Sequence, residues 1–268
     1  AEFNINGLDA DEYPLLPEVQ TEDSFTMPID LLKYMISQTV FAVSTMETRP
    51  ILTGVNMTLK DNRLNFTATD SHRLASRHVP IDANGLEFSN VVVPGKSLNE
   101  LNKILDDTEE LVEISVTANQ ILFKSKHLNF MSRLLEGNYP ETSRLIPTQS
   151  KTTLYANTKE LIQAIDRASL LAKDERNNVV RLSTINEQLI EIMSHSPEIG
   201  HVEEEIPIKA LEGEELNIAF SSKYMLDGLR AIHSDEVSIE FTGSMRPFII
   251  RPINGEEVLQ LILPVRTY

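Results

Sequence analysis

The feature that most constrains this chain is that it repeats itself. Residues 96–105 read as a helix opened by Pro94 and Gly95, followed by an alternating strand at 112–117 and further strands at 121–124 and 130–135. About 125 residues later, a spacing typical of one domain, residues 223–232 repeat the helix and 237–242 the alternating strand. Segments 248–251 and 258–263 repeat the two strands that close the unit. The stretches ahead of these blocks match as well. A helix at 28–44 precedes strands 52–59, 64–68 and 74–80, and a helix at 158–173 precedes strands 180–183, 189–194 and 201–208. Both runs end alike, in Val79-Pro80-Ile81 and Ile206-Pro207-Ile208. Helices of period 3.6 and strands of period 2 therefore write a βαβββ unit twice per domain, and the domain twice per chain. The expected fold class is α+β.

The polar, proline-bearing stretch 146–151 reads as a linker, which divides a middle domain, 22–147, from a C-terminal domain, 148–268. Residues 1–21 stand apart. Phe3-Asn4-Ile5-Asn6-Gly7, Tyr13-Pro14 and Pro17 echo Leu134-Leu135-Glu136-Gly137-Asn138-Tyr139-Pro140 and Pro147. The expectation is that 1–21 are the remnant of a preceding domain, with its linker.

Composition narrows the function classes. At 41% hydrophobic residues over 268, each half has material for its own core. There is no cysteine, which excludes disulfides and thiolate metal sites and points to a cytoplasmic location. No apolar run nears the roughly 20 residues that span a bilayer, so no membrane partner is expected. A formal charge of −16 argues against an open basic surface that grips nucleic acid non-specifically. The four helical segments nevertheless sum to +3, which leaves −19 for strands and loops. Lys96 and Lys103 lie nearly two turns apart on one helix, and Lys223 and Arg230 repeat the pair on the other. Leu98 and Leu105, with their counterparts Met225 and Ile232, point the opposite way, towards a core. Repetition of the pair favours a phosphate-facing surface.

Catalytic motifs are absent. Asp70-Ser71-His72 lie consecutively on an expected strand, where side chains alternate faces and cannot converge as a triad. The histidines His72, His78, His127, His195, His201 and His233 show no metal-ligand spacing, and no glycine-rich phosphate loop occurs. No carboxylate pair stands out among the forty acidic residues. No cofactor or metal is expected, and the chain reads as a binding protein rather than an enzyme.

At Ala68-Thr69-Asp70-Ser71-His72-Arg73-Leu74-Ala75, at Glu136-Gly137-Asn138-Tyr139-Pro140 and at Leu261-Ile262-Leu263-Pro264-Val265-Arg266, the sequence resembles the bacterial sliding clamp, the β subunit of DNA polymerase III. The resemblance covers nearly the whole chain and corresponds to the second and third domains of that family. It implies a DNA-clamp fold with helices on one face and sheets on the other. It also implies a processivity factor that encircles duplex DNA, a ring closed head to tail by two three-domain subunits. A chain with only two domains is expected to be mainly monomeric. By the resemblance, Arg49, Lys96, Lys103, Lys223 and Arg230 face DNA, without base contacts, so that the protein slides. The resemblance further implies a pocket that binds short peptides of DNA polymerase, clamp loader and repair proteins. One wall comprises Leu52, Thr69, His72, Arg73, Leu74, Pro140, Arg144 and Leu145; the other comprises Tyr224, Met245, Pro247, Leu261, Ile262, Leu263, Pro264, Val265 and Arg266. Arginines and His72 are expected at the rim. Ser71 stands where the family often has glycine, and Asn177 where some members have an aromatic residue. Two alternatives remain: a protein-only adaptor that binds peptides at the domain junction without DNA, and a hydrolase or transferase with its cleft between the domains.

Overall fold

The computed structural model describes residues 1–14, 24–108, 110–172 and 178–266. The first half contains β1 (Ser24–Pro28), α1 (Ile29–Ser37), β2 (Gly54–Lys60), β3 (Arg63–Thr69), β4 (Arg73–Pro80), β5 (Phe88–Pro94), α2 (Gly95–Ile104), β6 (Leu111–Val116), β7 (Gln120–Lys124) and β8 (Asn129–Arg133). The second contains β9 (Thr152–Asn157), α3 (Thr158–Ala172), β10 (Val179–Asn186), β11 (Leu189–Ser196), β12 (Gly200–Pro207), β13 (Ala210–Gly213), β14 (Asn217–Ser221), α4 (Ser222–Ile232), β15 (Glu236–Phe241), β16 (Phe248–Pro252) and β17 (Val258–Ile262). The class is α+β, as the periodicities indicate.

The duplication reaches single hydrogen bonds. The Ile81 amide donates to the Asn62 carbonyl at 2.8 Å, and the Ile208 amide to the Gln188 carbonyl at 2.9 Å. Each follows the shared proline and closes onto the turn of the preceding hairpin. Local pattern alone does not reveal how the units interlock. The leading strand of each βαβββ unit joins the sheet of the other unit: β1 pairs with β6 and β5 with β2, just as β9 pairs with β15 and β14 with β10. Each helix therefore crosses between two sheets and is held by both.

Two expectations need correction. The first helix stops at Ser37 instead of running to residue 44, and a 3-10 turn, Val40–Ala42, follows. The Thr39 hydroxyl donates to the Met35 carbonyl, which the Thr39 amide would use in a longer helix, and that amide turns to Ile36 instead, while the Ser37 hydroxyl shares the Tyr34 carbonyl with the Gln38 amide. The second half also has an additional strand, β13, on the edge beside β9. It turns at Gly213, where φ is +104° and a Cβ would strike the Lys151 carbonyl, so only glycine fits.

Each half has its own core. Leu32, Met35 and Ile36 of α1 pack with Leu98 and Leu101 of α2 around Phe66 and Phe123. Leu161 and Ile165 of α3 pack with Met225 and Leu229 of α4 around Phe220, Phe241 and Phe248. Each such side chain contributes about 1.5–3 kcal/mol when fully buried. Spacing in the helices sets this: apolar residues three or four apart turn inward and leave the cations outside.

The halves join through backbone. β4 pairs antiparallel with β17, from Arg73 opposite Ile262 to Arg77 opposite Val258. This merges two four-stranded sets, with β13, into one nine-stranded sheet ordered β13-β9-β15-β16-β17-β4-β3-β2-β5. On the face away from the cores, Leu74, Ile249, Leu259 and Leu261 form a small cluster covered by Ile146 of the passage between the halves. Among the described residues no helix is long and apolar enough to cross a membrane.

Candidate functional site at the junction of the halves

Residues 70–72 form the turn between β3 and β4, not part of a strand as expected. Asp70 makes the turn: its Oδ1 accepts from the His72 and Arg73 amides at 2.9 and 3.1 Å. Ser71 adopts φ +78°, the left-handed region in which glycine is unstrained. The Asp70 carboxylate is thus committed to its own backbone and to Arg73, and no triad geometry forms. From the passage between the halves, the Tyr139 hydroxyl accepts from the Thr69 amide at 3.0 Å. Burial pushes the Tyr139 phenol well above its ordinary value, and the Asp70 charge adds to this.

Arg73 lies beneath the site and not at its rim. Its Nε donates to Asp70 Oδ2 (3.0 Å), its Nη1 to Asp227 Oδ2 of α4 (2.6 Å), and its Nη2 to the Phe41 carbonyl (2.9 Å). The guanidinium sits 4.5 Å from the centroid of the Tyr224 ring and 5.4 Å from that of Phe41. The side chain is only 8% exposed, and each of its three nitrogens donates to a junction group, so it orders the site from below.

Above it lies a cavity of about 540 Å³ lined by His72, Asn178, Ser221, Lys223, Tyr224, Leu263, Pro264 and Val265. That volume suits a short peptide segment or small ligand. The C-terminal tail forms one wall because it remains tied after β17 ends: the Leu263 amide donates to the His72 carbonyl and the Val265 amide to that of Ala219. The tail therefore bridges both halves. Burial is the main cause that raises the Tyr224 phenol above its ordinary value, with Asp70 adding and Arg73 opposing.

Of the residues expected in the pocket, the cavity gathers His72, Tyr224, Leu263, Pro264 and Val265. Leu52, Thr69, Leu261 and Ile262 are buried in the fold around it. Leu74 and Pro140 line a separate polar cavity of about 370 Å³, with Asn56, Asn65 and His78. Arg144 and Leu145 are exposed in a short 3-10 turn, Met245 is exposed and Pro247 half-buried between β15 and β16, and Arg266 is exposed at the tail. Sequence reasoning missed Asn178, Ser221 and Asp227. Ser221 carries a signal, since its hydroxyl caps α4 by accepting from the Tyr224 amide. Asn177 and Lys173 lie outside the described residues, as do 15–21 of the N-terminal remnant and its Pro17.

The cationic helix positions are exposed at Lys96, Lys103, Lys223 and Arg230, while Leu98, Leu105, Met225 and Ile232 are buried. Three of the four cations already hold carboxylates. Lys103 pairs with Glu100, Lys223 with Asp227, and Arg230 reaches both oxygens of Asp166 on α3. No ion pair is formed by Lys96 among the described residues. Arg49 is exposed and donates to the Ser71 hydroxyl at 3.3 Å. A further cavity of about 530 Å³ lies between α3 and α4 and shares Asn178 and Lys223 with the junction cavity.

Comparison with known proteins bears on this geometry. The family model for the DNA polymerase III beta subunit, central domain, matches residues 26–141, and that for its C-terminal domain matches 143–266. The chain is 60% identical over 268 residues to the beta sliding clamp of Bacillus subtilis (strain 168), covering 100% of this chain and 71% of that relative. It is 52% identical to the beta sliding clamp of Halalkalibacterium halodurans, covering 99% of this chain and 70% of that protein. The crystal structure of the B. subtilis DNA polymerase sliding clamp superimposes with a TM-score of 0.94 at 60% identity, covering 100% of this chain and 70% of that one. That of the Pseudomonas aeruginosa DNA polymerase III subunit beta superimposes with a TM-score of 0.90 at 25% identity, covering 97% and 70%.

Proposed function

The chain belongs to the family of DNA polymerase III beta subunits, the beta sliding clamps, and from that premise we propose that it serves as a non-catalytic processivity factor that docks partner peptides at its junction cavity. The observation that carries the reading is the composite cavity, built from the 70–73 turn of one half and from α4 and the C-terminal tail of the other. Leu263, Pro264, Val265 and Tyr224 offer an apolar cleft, and His72, Ser221 and Asn178 offer polar atoms at its margin. That combination suits a short peptide with an apolar end, as polymerase, clamp loader and repair proteins would supply.

In this reading Lys96, Lys103, Lys223, Arg230 and Arg49 face duplex DNA inside a cytoplasmic ring. Cations that exchange between neighbouring carboxylates and passing phosphates hold DNA loosely, which suits sliding. The duplicated topology supports head-to-tail closure. β12 is the counterpart of β4 and β8 that of β17, so these two sheet edges are of the kinds that pair within the chain. Three-domain subunits would close as a homodimer, and the present chain alone would be mainly monomeric; a stable closed dimer or trimer in light scattering overturns that part. The protein-only adaptor reading draws support from the carboxylates that neutralise three of the four cations.

The test is titration of a fluorescent peptide ending in leucine and phenylalanine. Saturable binding is expected, weakened roughly 30-fold by Val265→Asp, in line with loss of a binding hot spot of about 2 kcal/mol. Equal affinity of the native chain and that variant, with both folded, overturns the reading.

A further inference from the structure

The Asp227 carboxylate has two claimants on one oxygen. Oδ2 accepts from Arg73 Nη1 at 2.6 Å and from Lys223 Nζ at 2.9 Å. The two cations differ in access. The Arg73 side chain is 8% exposed and that of Lys223 is 60% exposed, while Asp227 lies between them at 24%. Only the lysine can readily change partners. Arg73 in turn stacks on Tyr224, a wall of the junction cavity, and anchors the turn that carries His72.

We propose that Asp227 is a positioning residue that couples the cationic face of α4 to the peptide cavity, so that an anion drawing Lys223 away tightens peptide binding. The anion is a phosphate of the DNA backbone. Once Lys223 turns to it, the carboxylate is left to Arg73 alone, and the guanidinium is held more firmly against Tyr224. Coupling of this kind is reciprocal: a bound peptide that fixes Tyr224 and Arg73 loosens Lys223 for the phosphate. The inference rests on the cavity being the peptide site.

The test is a double-mutant cycle on peptide affinity, using an uncharged fluorescent peptide ending in leucine and phenylalanine so that Lys223 exerts no direct charge effect on it. Lys223→Gln stands in for the lysine drawn off by phosphate. In the native background it should tighten binding about two- to fivefold, the scale of a partly exposed ion pair. In an Asp227→Asn background that tightening should be lost; Lys223 also lines the cavity, and its direct contact with the peptide is common to both backgrounds and cancels in the cycle, with thermal unfolding showing every variant folded. An equal change in both backgrounds, or none in either, overturns the coupling while leaving the peptide site intact. Failure of the native chain to bind the peptide at all removes the peptide site and the coupling with it.

Discussion

β4 and β12 occupy the same place in the duplicated plan and end in the same way, yet one lies inside the molecule and the other on its edge. Aligned on their terminal prolines, Arg77 corresponds to Glu204 and His78 to Glu205. In β4 the alternation of buried and exposed residues is lost, because β17 continues the ladder and Ile146 covers its outer face. In β12 the alternation survives, with His201, Glu203 and Glu205 exposed along an open edge. Arg77 pairs with Glu256 across the junction at 3.2 Å, whereas Glu204 is held by Arg167 of its own half at 2.9 Å. The topology thus defines the position, and the neighbour determines whether its residues serve cohesion or protection. A run of carboxylates on a strand paired on one side only repels casual strand addition, as edge strands require.

The sharpest way to break this comparison is at Arg73, where β4 begins. Arg73→Ala leaves Asp70 and Asp227 without their buried partner and should cost about 3–5 kcal/mol, read from urea unfolding. A cost below about 1 kcal/mol would mean that the junction does not depend on that arginine. Next comes Leu261→Ala on β17, which opens a cavity against Leu74 and Ile249 and should cost about 2–4 kcal/mol by the same measurement.

The corresponding changes on β12 should hardly alter stability. Glu203→Val with Glu205→Val is expected to stay within about 0.5 kcal/mol of the native chain. Its effect should instead appear as association that rises with protein concentration in light scattering. Monomers at every concentration would show that these carboxylates do not protect the edge.

The smallest effect concerns pH. Burial, then the charges of Arg63 and Arg77, lower the pKa of His78 below its ordinary 6.5. The unfolded chain therefore binds this proton more readily than the folded one. The His78 contribution is complete above about pH 6.5 and is lost as pH falls from there through the folded value. His78→Asn should flatten the decline of Tm with acidification over that interval, and an unchanged slope would remove His78 as its source.

The helices and most strands were legible because amphipathic spacing is a local property, and its recurrence in the second half doubled the signal. β13 escaped because Ala210–Gly213 is too short to display alternation. The end of α1 escaped because it is decided by the Thr39 hydroxyl bonding back to the Met35 carbonyl. At the site, the residues of 69–73 and of the tail at 261–266 were picked out through resemblance, although 70–72 read as strand and form a turn, and His72, Tyr224 and three tail residues meet in one cavity. Asp227 was not legible. On its own helix it reads as an ordinary partner for Lys223 four residues earlier, and its contact with Arg73 spans 154 positions of sequence.

The unbroken nine-stranded sheet also has a mechanical consequence. Bending the molecule between its halves would require peeling β17 from β4 along their shared register, so this joint behaves as a stiff beam without a hinge. In any closed assembly of such units, strain applied to force a gap concentrates at the seams between separate chains, where the ladder can part without tearing a covalently continuous half from its neighbour.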